Sequence, residues 1–215
     1  MYLSKLTLNP HNRQVQRELA NPYQLHRTIM SGFPETLPEN ERVLHRLEID
    51  PRSGEVSLLV QSVHRPDWKP LLEAGQSHYM SELPQGPKQF QPDLPVDTIL
   101  RFRLTANPTV KTRSHRDPEK KTRVPIVHED KQLAWLERKG EQHGFRVINV
   151  QIGKEDTVQD WIRRKGDKHR LQLHIVQFDG ILQVADADKF VKALASGIGP
   201  AKAFGCGLLS IAPAP

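Results

Sequence analysis

The chain has 215 residues, 31 of them Lys or Arg and 25 Asp or Glu, for a formal net charge of +6; 37% are hydrophobic and 26% charged. That composition excludes disorder throughout and suits one large domain or two of roughly 100 residues each. A single cysteine, Cys206, excludes an internal disulfide and a multi-thiolate metal centre, and it points to a reducing compartment. No stretch approaches the ~20 apolar residues of a membrane span. The opening M-Y-L-S-K-L-T-L-N-P lacks the apolar core of a secretion signal, so no membrane contact and a cytoplasmic location are expected.

In chain order, Met1 to Leu8 alternates as a strand, and Asn12 to Leu19 forms a short polar helix. Asn21-Pro22 supplies an N-cap and a first-turn proline for a helix running toward Gly32. Val43 to Ile49 and Val56 to Val63 read as strands joined through Asp50-Pro51-Arg52-Ser53-Gly54. Pro66 to Pro95 is proline-rich and weakly patterned, with one helical turn near Leu71 and Leu72. In Ile99 to Ala106, Leu100, Phe102, Leu104 and Ala106 point one way while Arg101 and Arg103 share the exposed face. Asn107 to Pro118 reads as a linker or flexible loop. Beyond it are expected a strand at Thr122 to Val127 and a helix at Asp130 to Lys139 burying Leu133, Trp135 and Leu136. Strands follow at Phe145 to Gln151, Val158 to Ile162 and Leu171 to Phe178, with Asp179-Gly180 as a hairpin turn into Ile181 to Val184. A helix from Ala187 to Ala195 stops before Gly197, and Leu208 to Ile211 is the last strand. Each half approximates β-α-β-β-α-β, so the expected class is α+β with two tandem ferredoxin-like domains. The expected boundaries are 1–107 for the domain carrying the first helices, 108–121 for a basic linker and 122–215 for a domain with a Gly-rich loop.

The positive charge is concentrated. Arg101 to Arg123 holds eight basic residues, among them Lys111, Arg113 and Arg116, against Asp117 and Glu119. R-R-K-G-D-K-H-R gathers Arg163, Arg164, Lys165, Lys168 and Arg170 against Asp167 alone. Either run by itself reads as a solvated loop, but two in an otherwise slightly acidic chain favour a polyanion partner. With 6% aromatic residues and no aromatic RNA-binding motif, recognition through backbone and shape fits better than base stacking.

The loop G-I-G-P-A-K-A-F-G-C-G places Gly197, Gly199, Gly205 and Gly207 around Lys202. Glycines let backbone N–H groups approach a phosphate, although a connection that simply turns tightly reads at least as well. It is neither a Walker loop nor a dinucleotide fingerprint. In N-P-Y-Q-L-H-R-T-I-M-S-G-F, Leu25, Ile29 and Phe33 share one helix face, and Tyr23, His26, Arg27 and Met30 lie opposite. A phenol, an imidazole and a guanidinium together suit phosphate binding and proton transfer, while spacing alone favours ordinary surface residues. No HExxH pair and no D-x-D cluster is present; Asp186 and Asp188 head the last helix as N-caps, and His174 reads as structural. A chemistry without a metal or small-molecule cofactor is preferred.

Four segments together, M-Y-L-S-K-L-T-L-N-P, A-N-P-Y-Q-L-H-R-T-I, A-W-L-E-R at Ala134 to Arg138 and G-I-G-P-A-K-A-F-G-C-G-L-L-S-I, carry a resemblance over essentially the whole chain. The chain resembles the CasE family of CRISPR repeat-processing endoribonucleases of type I-E Cascade, within the RAMP superfamily. The resemblance implies two ferredoxin-like domains that bind the repeat stem-loop and cut at the 3′ base of the stem without a metal. It further implies retention of the crRNA and assembly with the other type I-E Cascade subunits. On the motif, His26 takes the place of the family's catalytic histidine, as general base or acid, Tyr23 that of its companion tyrosine, and Arg27 that of the adjoining basic residue. Some relatives carry a lysine a turn later, where this chain reads Met30-Ser31, so transition-state charge falls to Arg27 or to a lysine from elsewhere. The attack of a 2′-OH would leave a 2′,3′-cyclic phosphate and a 5′-OH. Arg101, Arg103, Lys111, Arg113, Arg116, Arg163, Arg164 and Lys165 would grip the stem, with the loop glycines and Lys202 on the RNA backbone. The competing reading is a non-catalytic RNA-binding subunit of a ribonucleoprotein. A DNA-binding regulator ranks below it, because no helix-turn-helix is evident.

Overall fold

A computed structural model of the chain describes residues 1–39, 41–73, 79–113, 119, 121–164 and 167–214, with the backbone alone at 73 and 159–171. The chain divides into two compact units. The first comprises Met1–Asp93, Ala195–Gly197 and Lys202–Leu208, and the second Leu94–Leu194, Ile198–Ala201 and Leu209–Pro215.

The first unit contains β1 (Tyr2–Leu8), α1 (Arg13–Ala20), α2 (Pro22–Met30), β2 (Leu44–Ile49), β3 (Val56–Ser62), α3 (Lys69–Glu73) and β4 (Gln85–Gln89). Its antiparallel sheet runs β2-β3-β1-β4, the ferredoxin-like order. Leu6 and Leu8 of β1, Leu58 and Val60 of β3, Val15 of α1 and Leu25 and Ile29 of α2 form the core. Both helices begin on side-chain caps. Asn12 Oδ1 accepts from the N–H groups of Gln14 and Val15 at 2.8 and 3.2 Å, and Asn21 Oδ1 accepts from Gln24 N–H at 3.2 Å. Buried Glu18 on α1 then locks α2 in place by accepting from Thr28 Oγ1 at 2.7 Å, and also from the Tyr79 hydroxyl and Gln14 Nε2. Burial first, and then the hydrogen bond to Glu18, raise the Tyr79 phenol far above its ordinary range. α2 therefore presents its remaining face in a fixed orientation.

The second unit contains β5 (Ile99–Ala106), β6 (Thr109–Arg113), β7 (Lys121–Pro125), α4 (Glu129–His143), β8 (Phe145–Arg164), β9 (Asp167–Val184), α5 (Ala187–Ser196) and β10 (Leu209–Pro213). The sheet order β10-β5-β9-β8 repeats the ferredoxin-like arrangement, with the β6-β7 ribbon inserted between the first strand and its helix. Leu104, Phe178, Leu182, Phe190 and Leu194 are fully buried, and Trp135 stacks on Phe178 at 6.3 Å. Asp186 caps α5, accepting from Lys189 N–H at 3.0 Å. The two ferredoxin-like domains and the α+β class are as the sequence predicts.

The two compact units divide at Asp93 and Leu94, because β5 pairs with β9 and β10. Several local expectations are corrected. The segment after Asn107 is not simply a linker, since Thr109–Arg113 pairs with Lys121–Pro125. Gln85–Gln89, hidden by its Gly and Pro, is an edge strand on β1. Asp179-Gly180 is not a turn: β9 runs through it unbroken, and β8 is likewise one strand where two were expected. Asp179 lies opposite Arg103 on β5, and Gly180 sits beside a bulge at Val147/Asn149. A Cβ at Gly180 would lie 2.2 Å from the Asn149 carbonyl oxygen. This glycine serves close backbone approach rather than reversal. Gly180→Ala should accordingly destabilise the protein by roughly 1–3 kcal/mol, seen as a lower urea midpoint at unchanged slope.

Candidate functional site

In the first unit, the 3-10 turn Lys202–Phe204 of the Gly-rich loop packs against α2 and β2. Gly197, Gly199, Gly205 and Gly207 adopt φ values of 73°, 81°, 81° and 93°. At these angles side chains are strained, so the run of glycines is set by the path of the loop. Gly197, Lys202, Gly205 and Gly207 belong to the unit that holds α2, and Gly199 belongs to the second. Cys206 is fully buried, which pushes its thiol up to about 12 and removes it as a nucleophile at neutral pH.

On α2, the i, i+3, i+4 spacing sets Tyr23, His26 and Arg27 on the face away from Leu25 and Ile29. Tyr23 is 43% exposed; Arg27 is exposed, its Nη1 3.5 Å from Gln24 Oε1; His26 is half-buried. Burial lowers the His26 pKa from its ordinary 6.5, so the ring is neutral at neutral pH. Its partner is His45 of β2, 1% exposed, with ring centroids 5.8 Å apart and an interplanar angle of 21°. Burial, and secondarily the neighbouring His26, holds the His45 pKa down to about 3. The Nδ1 atoms of both rings are enclosed, and neither has a hydrogen-bond partner among the described residues. A Cβ on Gly205 would lie 3.6 Å from His45 Nε2, so the loop backbone covers that edge of the ring. Nothing in the sequence flags His45, because the stack joins a helix and a strand 19 positions apart.

The cationic residues of the second unit divide into three groups. Arg101 is exposed on β5, its Nε donating to the Pro213 carbonyl at 3.2 Å. Arg103 shares that face but is engaged with Asp179, Nε to Oδ1 at 2.6 Å and Nη2 to Oδ2 at 3.3 Å. On the ribbon, Lys111 registers with Arg123 and Arg113 with Lys121. All four are exposed and share one face by the period of two. Lys121 and Arg123 were not among the predicted site residues, and it is the strand pairing that joins them to Lys111 and Arg113. Like charges directly opposite cost stability in water, a cost that a polyanion relieves. Arg163 and Arg164 end β8, opposite Lys168 and Asp167 of β9. Arg116 and Lys165 lie outside the described residues. Among the described residues no three His, Cys, Asp or Glu side chains are grouped to hold a metal ion, and no helix is long and apolar enough to cross a membrane.

A family model described as "CRISPR associated protein" matches residues 1–213. The CRISPR-associated endoribonuclease Cse3 of Thermus thermophilus is 39% identical over 222 residues, covering 99% of this chain and 100% of that protein. The CRISPR system Cascade subunit CasE of Escherichia coli K12 is 32% identical over 219 residues, covering 99% and 100%. The structure of Thermus thermophilus Cse3 bound to an RNA representing a pre-cleavage complex superposes with a TM-score of 0.83 at 37% identity, covering 99% of this chain and 98% of that one. With fold, length and sequence agreeing from end to end, the chain belongs to the Cse3/CasE family of CRISPR-associated proteins.

Proposed function

We propose that the protein is a metal-independent endoribonuclease that binds the stem-loop of the CRISPR repeat in precursor RNA and cuts at the 3′ base of the stem. It would then keep the mature crRNA as a subunit of a Cascade complex in the cytoplasm. The observation that carries the reading is the half-buried, neutral His26 beside Tyr23 and Arg27 on a helix locked by Glu18, in a chain 39% identical to an endoribonuclease. RNA supplies its own nucleophile, so the protein's part is proton transfer and charge stabilisation. His26 takes the proton of the 2′-OH as that oxygen attacks in line. The 2′-oxygen–phosphorus bond forms, the bond from phosphorus to the 5′-oxygen breaks, and a 2′,3′-cyclic phosphate remains. The leaving 5′-oxygen is protonated through Tyr23, and the His26 imidazolium returns its proton to the phenol, restoring both groups. Arg27 or Lys202 carries the charge of the pentacoordinate phosphorus in place of the lysine that some relatives have a turn later on this helix, where this chain reads Met30-Ser31.

The cationic ribbon Lys111, Arg113, Lys121 and Arg123, with Arg101 and the segment from Arg163 to Lys165, would hold the stem through its phosphates. Arg103 contributes less, because Asp179 already engages it. The direct test is incubation of the protein with its labelled repeat hairpin in EDTA, beside the same RNA carrying a 2′-deoxy sugar just upstream of the cut. Cleavage of the all-ribose RNA alone, with a cyclic phosphate end, is expected. Cutting of the deoxy RNA, or a requirement for added metal, rejects the mechanism; tight binding with no cutting identifies a non-catalytic subunit.

A further inference from the structure

Histidines that move protons are ordinarily held by a hydrogen bond from their second ring nitrogen to a carboxylate or carbonyl, which fixes the plane of the ring. His26 has no such bond among the described residues: its Nδ1 is enclosed and unpaired. What it has is the face of His45, 5.8 Å away and within 21° of parallel. His45 in turn is immobilised, fully buried on the second strand of the first sheet, with the Gly205 backbone of the Gly-rich loop against its Nε2 edge.

We propose that His45 is a positioning residue for the cleavage reaction, its buried ring setting the plane of the His26 imidazole and tying that plane to the Gly-rich loop. The inference rests on the assignment of His26 as the reacting histidine. A stacked neutral ring does this without competing for the proton. The ionisable groups on the elements packed around His26 are Tyr23 and Arg27 of its own helix, Lys202 of the 3-10 turn, His45 of β2 together with Arg46 and Glu48, which pair with each other at 2.8 Å, and Arg13, Arg17 and Glu18 of α1, the last turned toward Thr28. Of these, His45 alone is a second imidazole. Burial, and secondarily the neighbouring His26, holds its pKa down to about 3, so at neutral pH it faces His26 as an uncharged ring. What the site requires at position 45 is therefore a flat neutral ring rather than a second base.

The test compares His45→Leu, which fills the buried volume without a plane, with His45→Phe, which keeps the plane without nitrogens. Single-turnover cleavage and affinity are measured on the full-length protein with its repeat hairpin, and His26→Ala is run in parallel. Loss of alignment should slow His45→Leu by roughly 10- to 100-fold, at unchanged hairpin affinity, and His45→Phe should restore the rate. The ring-current shift of the His26 Hε1 resonance should persist in His45→Phe and vanish in His45→Leu. A wild-type rate in His45→Leu, or an equal loss in both variants, overturns the proposal; if His45→Leu does not fold, a slow His45→Phe does so alone. If His26→Ala cleaves like the wild type, the assignment of His26 has failed instead, and the two results are told apart in one experiment.

Discussion

His26→Ala should slow single-turnover cleavage of the repeat hairpin by roughly 10²- to 10⁴-fold, the usual worth of a positioned general base, while hairpin affinity is unchanged. The separation of rate from affinity is the important half of the result. His26 lies on a helix held from the other side by Glu18 and Thr28, and its removal leaves that anchorage in place. The pH dependence gives an independent check. Burial lowers the His26 pKa from 6.5, so the basic, neutral form should persist as the pH falls through 6.5, and the rate should decline only below the shifted value. A solvent-exposed histidine would already have lost half its base form at its ordinary pKa. If the wild-type acid limb lies at or above 6.5, or if His26→Ala retains it, another group is the base.

Much of this site was legible in the sequence because it is local. Asn21-Pro22 announces the start of α2, and residues three and four apart on a helix share a face, so Tyr23, His26 and Arg27 group themselves without knowledge of the fold. The ferredoxin-like architecture was legible for a similar reason, since β1, β5 and both major helices carry clean periodicities. What escaped depends on pairing between distant segments. Asp179-Gly180 has the composition of a tight turn, and only the register with Arg103 and the bulge at Asn149 makes it the middle of a long strand. β4 carries Gly86 and Pro87, which mask its edge position on β1. His45 stood in a correctly placed strand with nothing to distinguish it, because its role comes from the ring stacked on it. In the basic run after Asn107 the sequence displays the charge but not the shape. Once Val110 pairs with Val124 and Thr112 with Thr122, four cations fall on a single face.

That face leads to the second large effect. Replacing Lys111, Arg113, Lys121 and Arg123 together by Gln should weaken hairpin binding by roughly 10²- to 10³-fold at physiological salt, because each phosphate neutralised contributes about −0.7 to −0.9 to the slope of log affinity against log salt. The slope itself should become shallower by about three units. Net charge alone predicts a smaller effect that any four cations would share. The matched control therefore removes Lys131, Arg138, Lys189 and Lys192 from α4 and α5, side chains outside the ribbon. If the control changes the slope as much as the ribbon variant, the binding is a general attraction to a basic protein. If only the ribbon variant changes it, the four residues touch phosphates. Because the ribbon is assigned to grip the stem and not to act on the scissile bond, its loss should also leave the cleavage rate at saturating protein unaltered. A fall in that rate would mean that the ribbon helps align the reacting phosphate, and the division of labour between a gripping ribbon and a reacting helix would have to be abandoned.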